Sequence, residues 1–162
     1  MRNKTLNLGC GERIYKEYPK SYDCINMDER ANLEGVDVVG DVKDLSMFKN
    51  DEFSYILASD ILEHFPIKDT EKLLKEWARV LFRYGTLEIR TPNLKWALYY
   101  YHTYKDAKFV SHHIFGGQDH DGNYHYVMFD RAWLLSICVP IGFKEESYME
   151  DGSNFIMKLT RI

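Results

Sequence analysis

A glycine pair set directly behind the first apolar run constrains this chain most. The stretch "TLNLGCGERI" places Gly9 and Gly11 one residue apart at the end of a strand-like segment. Glycine reaches positive φ and has no Cβ, so the backbone there can turn sharply and come close to a ligand. In an open α/β sheet, ligands lie beyond the carboxyl ends of the strands, near the point where strand order reverses. Taken alone, a glycine pair after a first strand is either a tight turn or the ligand loop of such a sheet; the second reading requires the rest of the chain to supply further strands with helices between them.

The remaining sequence meets that demand. Residues 4–8, 23–27, 36–39, 53–58 and 86–90 read as short apolar strands ending in polar or turn residues. Residues 12–18 read as a short helix or turn stopped by Pro19, and residues 44–48 as one helical turn. The clearest helix spans residues 69–82, where Leu73, Leu74, Trp77, Val80 and Leu81 form one stripe at helical spacing. Residues 94–104 also read as helix. Residues 105–128, rich in His, Gly and Asp, read as a loop or lid. Asp130 can cap a helix whose apolar face is Trp133, Leu134, Ile137, Cys138 and Ile141. Residues 143–148 and 154–160 then form a hairpin, so the last strand runs antiparallel to a neighbour. Alternating strands and helices predict an α/β domain with a mostly parallel sheet.

Composition narrows the function classes. The 162 residues fit one domain, and a net charge of -4 argues against a broad electrostatic grip on nucleic acid. No apolar run approaches the roughly 20 residues of a membrane span. Residues 1–4 lead straight into the first strand without a signal-peptide pattern, which predicts a cytoplasmic protein. Cys10, Cys24 and Cys138 lack paired spacing and read as free thiols of a reducing compartment.

Asp28 closes the second strand, where a nucleotide fold places the carboxylate that accepts two hydrogen bonds from ribose hydroxyls. Asp41 closes the next strand, within reach of an adenine amine. A dinucleotide site needs a third glycine so that a helix N-terminus can meet a pyrophosphate. Here Glu12 follows instead, and a carboxylate repels a diphosphate. An adenosine ligand with a positive centre and no phosphate suits Glu12, Asp28 and Asp41 better than NAD does.

The segments "LNLGCGERI", "INMDE", "GDVKDL", "FSYILASDILEHF" and "LLKEWARVLFRYGTLEIRTPNL" resemble, in that order, the class I S-adenosylmethionine-dependent methyltransferases. The likeness is to small type-11 members. The later "IFGGQDH" and "YHYVMFDRAWLLSICVPIGFKE" resemble a subgroup often found among surface-polysaccharide genes. The resemblance implies a Rossmann-like seven-stranded, mostly parallel sheet with an antiparallel last strand and helices on both faces. It implies one methyltransferase domain over residues 1–162, with 105–128 as a substrate loop or lid. The implied cofactor is S-adenosyl-L-methionine. Gly9 and Gly11 would face its methionine part, Asp28 its ribose and Asp41 its adenine, with Ser59 and Asp60 lining the cleft shared with the acceptor. The usual Lys-Pro-Gly-Gly turn is replaced here by residues 82–86, a change in a turn. The extra N-terminal helices of larger relatives are missing, which leaves the acceptor pocket open or completed by a second subunit of a homodimer.

The acceptor expected from the resemblance is a small molecule or a saccharide-linked group. A hydroxyl acceptor needs a base, and the candidates are His64, His120 and His125, with Asp60 behind them. His64 in "LEHF" reads either as a base at the cleft rim or as a helix-end residue bonded to backbone. The stretch "SHHIFGGQDHDGNYHY" is dense enough in His and Asp to bind a metal, yet no tight HxH or HxxxH pair sets a geometry. No metal ligand set is assigned from sequence. The same stretch can be an acceptor lid hinged at Gly116 and Gly117, or a solvated loop. Trp96, Tyr100 and Tyr104 share a helical face that suits stacking, core packing or a subunit contact. The tetrad of base-amino methyltransferases is replaced by Ser59-Asp60-Ile61-Leu62, which argues against DNA. Two other readings remain: a non-catalytic cofactor-binding module serving a partner enzyme, and a nicotinamide-dependent oxidoreductase.

Overall fold

Hydrophobic alternation and turn residues put the strands close to where the sequence predicts them. The computed structural model describes residues 3–119 and 122–162. Its strands are β1 (Lys4–Leu8), β2 (Asp23–Asp28), β3 (Val38–Val39), β4 (Phe53–Ser59), β5 (Leu81–Pro92), β6 (Phe143–Asp151) and β7 (Asn154–Arg161). Its helices are α1 (Ile67–Val80), α2 (Leu94–Tyr104), α3 (Ala107–Phe115) and α4 (Arg131–Ile141), with one 3-10 turn at Leu62–His64. The strands form a single seven-stranded sheet in the order β3-β2-β1-β4-β5-β7-β6. β7 runs antiparallel to both β5 and β6. β1 pairs in parallel with β2 on one side and β4 on the other, so the chain changes direction across the sheet there. That change opens a crevice at the carboxyl ends of β1 and β4.

The cover of the sheet is unequal. Leu6, Leu8, Ile56, Ala58, Leu87 and Ile89 pack into the aliphatic core with Leu73, Leu74 and Trp77 of α1 and Leu134 and Cys138 of α4. The predicted α1 stripe is fully inside. Thr5, Asn7, Tyr55 and Glu88 alternate with those core residues along the strands, and all four are buried. The irregular segment 11–22 lies over them. Asn7 Nδ2 donates to the Arg13 carbonyl at 2.8 Å, and the Tyr18 hydroxyl donates to Glu88 at 2.9 Å. The Tyr55 hydroxyl also reaches Glu88, whose other neighbour is Lys158 at 3.3 Å. A buried carboxylate is tolerable when donors and a cation surround it in this way.

Three expectations need correction. Residues 44–48 form no regular helical turn, and of the two readings of residues 12–18 the irregular one holds. Polar side chains satisfy their backbones in place of helical bonds, as where Asn26 Nδ2 donates to the Tyr15 carbonyl at 2.7 Å. The segment 105–128 begins as helix α3, capped by Asp106, whose Oδ1 accepts from the Phe109 amide at 2.9 Å. Its polar composition hid a nine-residue helix whose buried contact is Val110 against Ala97 and Met128. β5 starts at Leu81, directly after α1, so the strand is longer than predicted.

Candidate active site

The crevice is a cleft of about 620 Å³. That volume lies within the range typical of small-molecule sites. One wall is made of strand ends. Gly9 follows β1 at φ +59°, and a Cβ there would stand 2.6 Å from Ile61 Cδ1. The absent side chain is therefore what lets the chain pass Ile61 at the floor of the cleft. Gly11, at φ +54°, acts through its amide, which donates to Asp28 Oδ2 at 2.8 Å.

Asp28 is buried at the end of β2. Its Oδ1 accepts from the Arg30 amide at 3.1 Å and from Arg30 Nε at 2.9 Å, and its Oδ2 meets Arg30 Nη2 at 3.3 Å. Burial raises its pKa, but the bonds from Arg30 and the Gly11 amide outweigh this and hold the carboxyl below the usual range. With four donors already present, its lone-pair sites are all used. Asp41 is half exposed, and its side chain pairs with Lys43 at 3.2 Å. The turn carrying it is pinned to α1. Trp77 Nε1 donates to the Val42 carbonyl at 3.0 Å, and Arg79 Nη2 donates to the Leu45 carbonyl at 2.9 Å.

Asp60 lines the floor, with φ +55° after β4. Its carboxylate accepts from Arg13 Nη1 at 2.8 Å, from Asn154 Nδ2 at 2.7 Å, and from Arg90. Ser59 Oγ accepts from the same Arg13 nitrogen at 2.7 Å, which ties Ser59 to this cluster rather than to the cleft lining. Asp60 is thus engaged with two arginines and Asn154 on the cleft floor it shares with His64.

The opposite wall is the loop from Gly122 to Tyr126, stapled to the 3-10 turn. The Tyr126 amide donates to the Glu63 carbonyl at 2.8 Å, and His64 Nδ1 donates to the Tyr124 carbonyl at 3.0 Å. His125 Nδ1 donates to the His113 carbonyl at 3.0 Å, and its ring meets that of His64 edge-to-face with centroids 4.9 Å apart. Burial lowers the His125 pKa, so the ring is held toward its neutral form. Gly116, at φ +80°, permits this arrangement: a Cβ there would sit 2.5 Å from the Asn123 carbonyl. Tyr124 and Tyr126 present exposed rings to the cleft.

The structure thus brings Gly9, Asp28, Asp41, Asp60 and His64 to one cleft and sets His125 against His64. His120 lies outside the described residues. The aromatic stripe of α2 is an inter-helix contact: Trp96 stacks on Tyr100 and meets Phe109 of α3, while Tyr104 remains exposed. Sequence reasoning passed over Arg30, Arg13, Arg90 and Glu63. Arg30, two residues beyond Asp28, was the one local signal available. Glu63 is buried beside His64, and burial pushes its carboxyl up to about 8. Nothing in "LEHF" reveals which of its residues faces inward.

Acidic side chains dominate the strand-end wall, where Asp28, Glu29, Asp41 and Asp60 face two cations, Arg30 and Lys43. Such a wall fits a cationic nucleoside better than a pyrophosphate. Among the described residues, no helix is long and apolar enough to cross a membrane.

Comparison with known proteins agrees with the geometry. No curated protein matches the chain significantly. Solved structures match at full length. A SAM-dependent methyltransferase from Methanosarcina mazei is 16% identical, with a TM-score of 0.70 over 100% of this chain and 94% of that one. One from Archaeoglobus fulgidus is 14% identical, with a TM-score of 0.71 over 98% and 86% of the two chains. A putative methyltransferase from Haloferax volcanii, solved with the Trm112 methyltransferase activator, is 12% identical, with a TM-score of 0.69 over 99% and 83%. At such identities the likeness shows a shared fold. Residues 6–89, more than half of the chain, match a family described as a methyltransferase domain. The chain therefore belongs to the methyltransferase domain family, and S-adenosylmethionine is the cofactor that this membership implies.

Proposed function

We propose that the protein transfers a methyl group from S-adenosylmethionine to a small-molecule or saccharide-linked acceptor. The supporting observation is a cleft with an acidic strand-end wall on one side and Tyr124, Tyr126 and His64 on the other. When bound, the cofactor supplies an electrophilic methyl group, and the protein's part is to orient the partners. Asp28 binds the ribose hydroxyls once the Arg30 guanidinium gives up its place, and Asp41 takes the adenine amine. Gly9 lets the backbone approach the methionine part, and the Gly11 amide keeps the Asp28 carboxylate aimed. Ser59 and Asp60 act through Arg13 and Arg90, which keep the floor in shape. Tyr124 and Tyr126 offer faces on which a sugar or other flat acceptor can lie. The saccharide link also draws on the resemblance of the later segments to a polysaccharide-associated subgroup. Nδ1 donation to the His113 carbonyl leaves the lone pair of the neutral His125 imidazole on Nε2, where it can receive a proton from an acceptor hydroxyl. His64, which lines the cleft, is the second candidate base. His120 is kept as a third candidate base. Of the lid expected over residues 105–128, residues 122–126, beyond helix α3, are the part that faces the acceptor.

The test is release of S-adenosylhomocysteine from S-adenosylmethionine over a panel of saccharide and small hydroxyl acceptors. Turnover with one acceptor class supports the reading. Cofactor binding without turnover on any of them would leave a non-catalytic binding module in its place.

A further inference from the structure

We propose that Glu63, His64 and His125 form a binding site for a divalent cation of the zinc class, at the acceptor side of the cleft. One ligating atom from each of the three lies within 4.8 Å of the others. The residues come from different places: Glu63 and His64 from the 3-10 turn after β4, and His125 from the loop about sixty residues later. Tertiary folding alone brings them together.

Four features carry the assignment. The first is the ligand chemistry, because two imidazoles and one carboxylate with positions left open is a donor set that zinc-class ions use in catalytic sites. The second is the orientation of the rings. Metal-bound histidines nearly always give their other N–H to a carbonyl or carboxylate. Both rings here do so, His64 to the Tyr124 carbonyl and His125 to the His113 carbonyl, each at 3.0 Å. The third is Glu63, which is 1% exposed and accepts from Thr91 Oγ1 at 3.0 Å through Oε2. Buried acids are paired with positive charge or coordinate a metal. The nearby arginines are committed elsewhere, Arg13 to Ser59 and Asp60 and Arg90 to Asp60 and Asp151. The fourth is the cradle. The Tyr126 amide fixes the loop to the Glu63 carbonyl at 2.8 Å, and Gly116 lets the chain close behind His125.

Closure onto an ion needs only a small adjustment. Ligand atoms around a tetrahedral zinc stand about 3.4 Å apart, from bonds of about 2.0–2.1 Å. The donors must converge by at most about 1.4 Å, from 4.8 Å to the spacing of a tetrahedral site, which side-chain rotation supplies. Asp60 is not a ligand, since its oxygens are filled by Arg13, Arg90 and Asn154. Of the three, His64 also lines the cleft, beside Tyr124, so an acceptor oxygen there would take an open position on the ion, with the imidazoles then serving as ligands and not as bases. That last role rests on the methyl-transfer reading; binding of the ion itself does not.

The experiment titrates Zn²⁺ into the full chain against a chromophoric chelator, without cofactor, and measures S-adenosylmethionine affinity on the same preparations. One Zn²⁺ per chain is expected. Glu63→Gln and His125→Ala should each weaken it by about 100-fold or more. His102→Ala and His112→Ala, at exposed positions outside the cluster, should leave it unchanged. Absence of stoichiometric Zn²⁺ on the wild-type chain overturns the proposal. Equal affinity in the wild type, Glu63→Gln and His125→Ala overturns it too. The wild-type stoichiometry decides the matter even if a variant does not fold. If Zn²⁺ binds and S-adenosylmethionine does not, the methyl-transfer reading fails and the metal site stands; the reverse result removes the metal site alone.

Discussion

The strand-end wall of the cleft hangs from the sheet and the core, whereas the loop wall hangs from backbone carbonyls. Asp41 is held because Trp77, fully buried in α1, ties the Val42 carbonyl to the core at 3.0 Å. Asp28 is held because it ends a strand paired on both sides. His125 is held by its own ring bond to the His113 carbonyl and by a glycine that permits the approach of Asn123. The difference teaches that the strand-end wall comes with the fold, while the facing wall is added by a loop, the part of a fold that varies most readily.

Substitutions can separate the two walls. The largest effect expected is from Trp77→Ala, which empties the core and orphans the Val42 carbonyl. Urea unfolding should show a loss of about 3–5 kcal/mol, with S-adenosylmethionine affinity falling as the Asp41 turn loosens. Retained affinity in a folded, destabilised variant would show the wall to be independent of the core.

Asp28→Ala should come next. It removes charge-assisted hydrogen bonds, so calorimetry should find cofactor affinity lower by about 10- to 100-fold. Affinity equal to wild type would detach the strand-end wall from the cofactor.

Gly116→Ala targets the loop wall at a cost of about 1–3 kcal/mol of local strain. Hydrogen exchange should quicken at the amides of Gln118, His125 and Tyr126, which bond to Asn123, Phe115 and Glu63. Exchange in β1 and β4 should stay as it was, and faster exchange throughout the sheet would erase the distinction between the walls.

Arg30→Ala should strengthen cofactor binding by about two- to tenfold. It frees two acceptor positions on Asp28 and removes a positive charge from the path of a cationic ligand. Weaker binding would instead make Arg30 part of the grip.

The smallest effect is on stability in acid. The folded Asp28 carboxyl titrates below its unfolded value of 3.8. The unfolded chain therefore binds the proton first as pH falls, and the stabilisation, full above that value, is lost as pH drops through the folded one. Asp28→Asn should flatten that part of the stability curve.

Much of the fold was legible because local rules and the tertiary outcome agree. The strand positions, the α1 stripe from Leu73 to Val80 and the Asp130 cap appear as read, and the Asp130 side chain accepts from the Trp133 amide at 2.7 Å; Leu81, read as the end of that stripe, opens β5. Helix α3 was not legible, since its few apolar residues pack only locally against α2. Of the two readings of residues 12–18 the turn holds, and residues 44–48 were overread as a helical turn, because side-chain bonds, invisible in a linear pattern, satisfy these backbones. In the cleft, Gly9, Asp28 and Asp41 were legible because each stands at a strand end and the spacing of strand ends is a sequence property.

The sequence alone determined the class of sheet, the glycine turn and the acidic residues at its carboxyl edge, because hydrophobic period and backbone permissiveness act over a few residues. Only the tertiary structure decided that Arg30 occupies Asp28, that Asp60 belongs to Arg13 and Arg90, and that Glu63 and His64 meet His125. Those outcomes depend on burial and on contacts between distant segments, and a carboxylate or imidazole carries no mark in the chain of which neighbour will be brought to it.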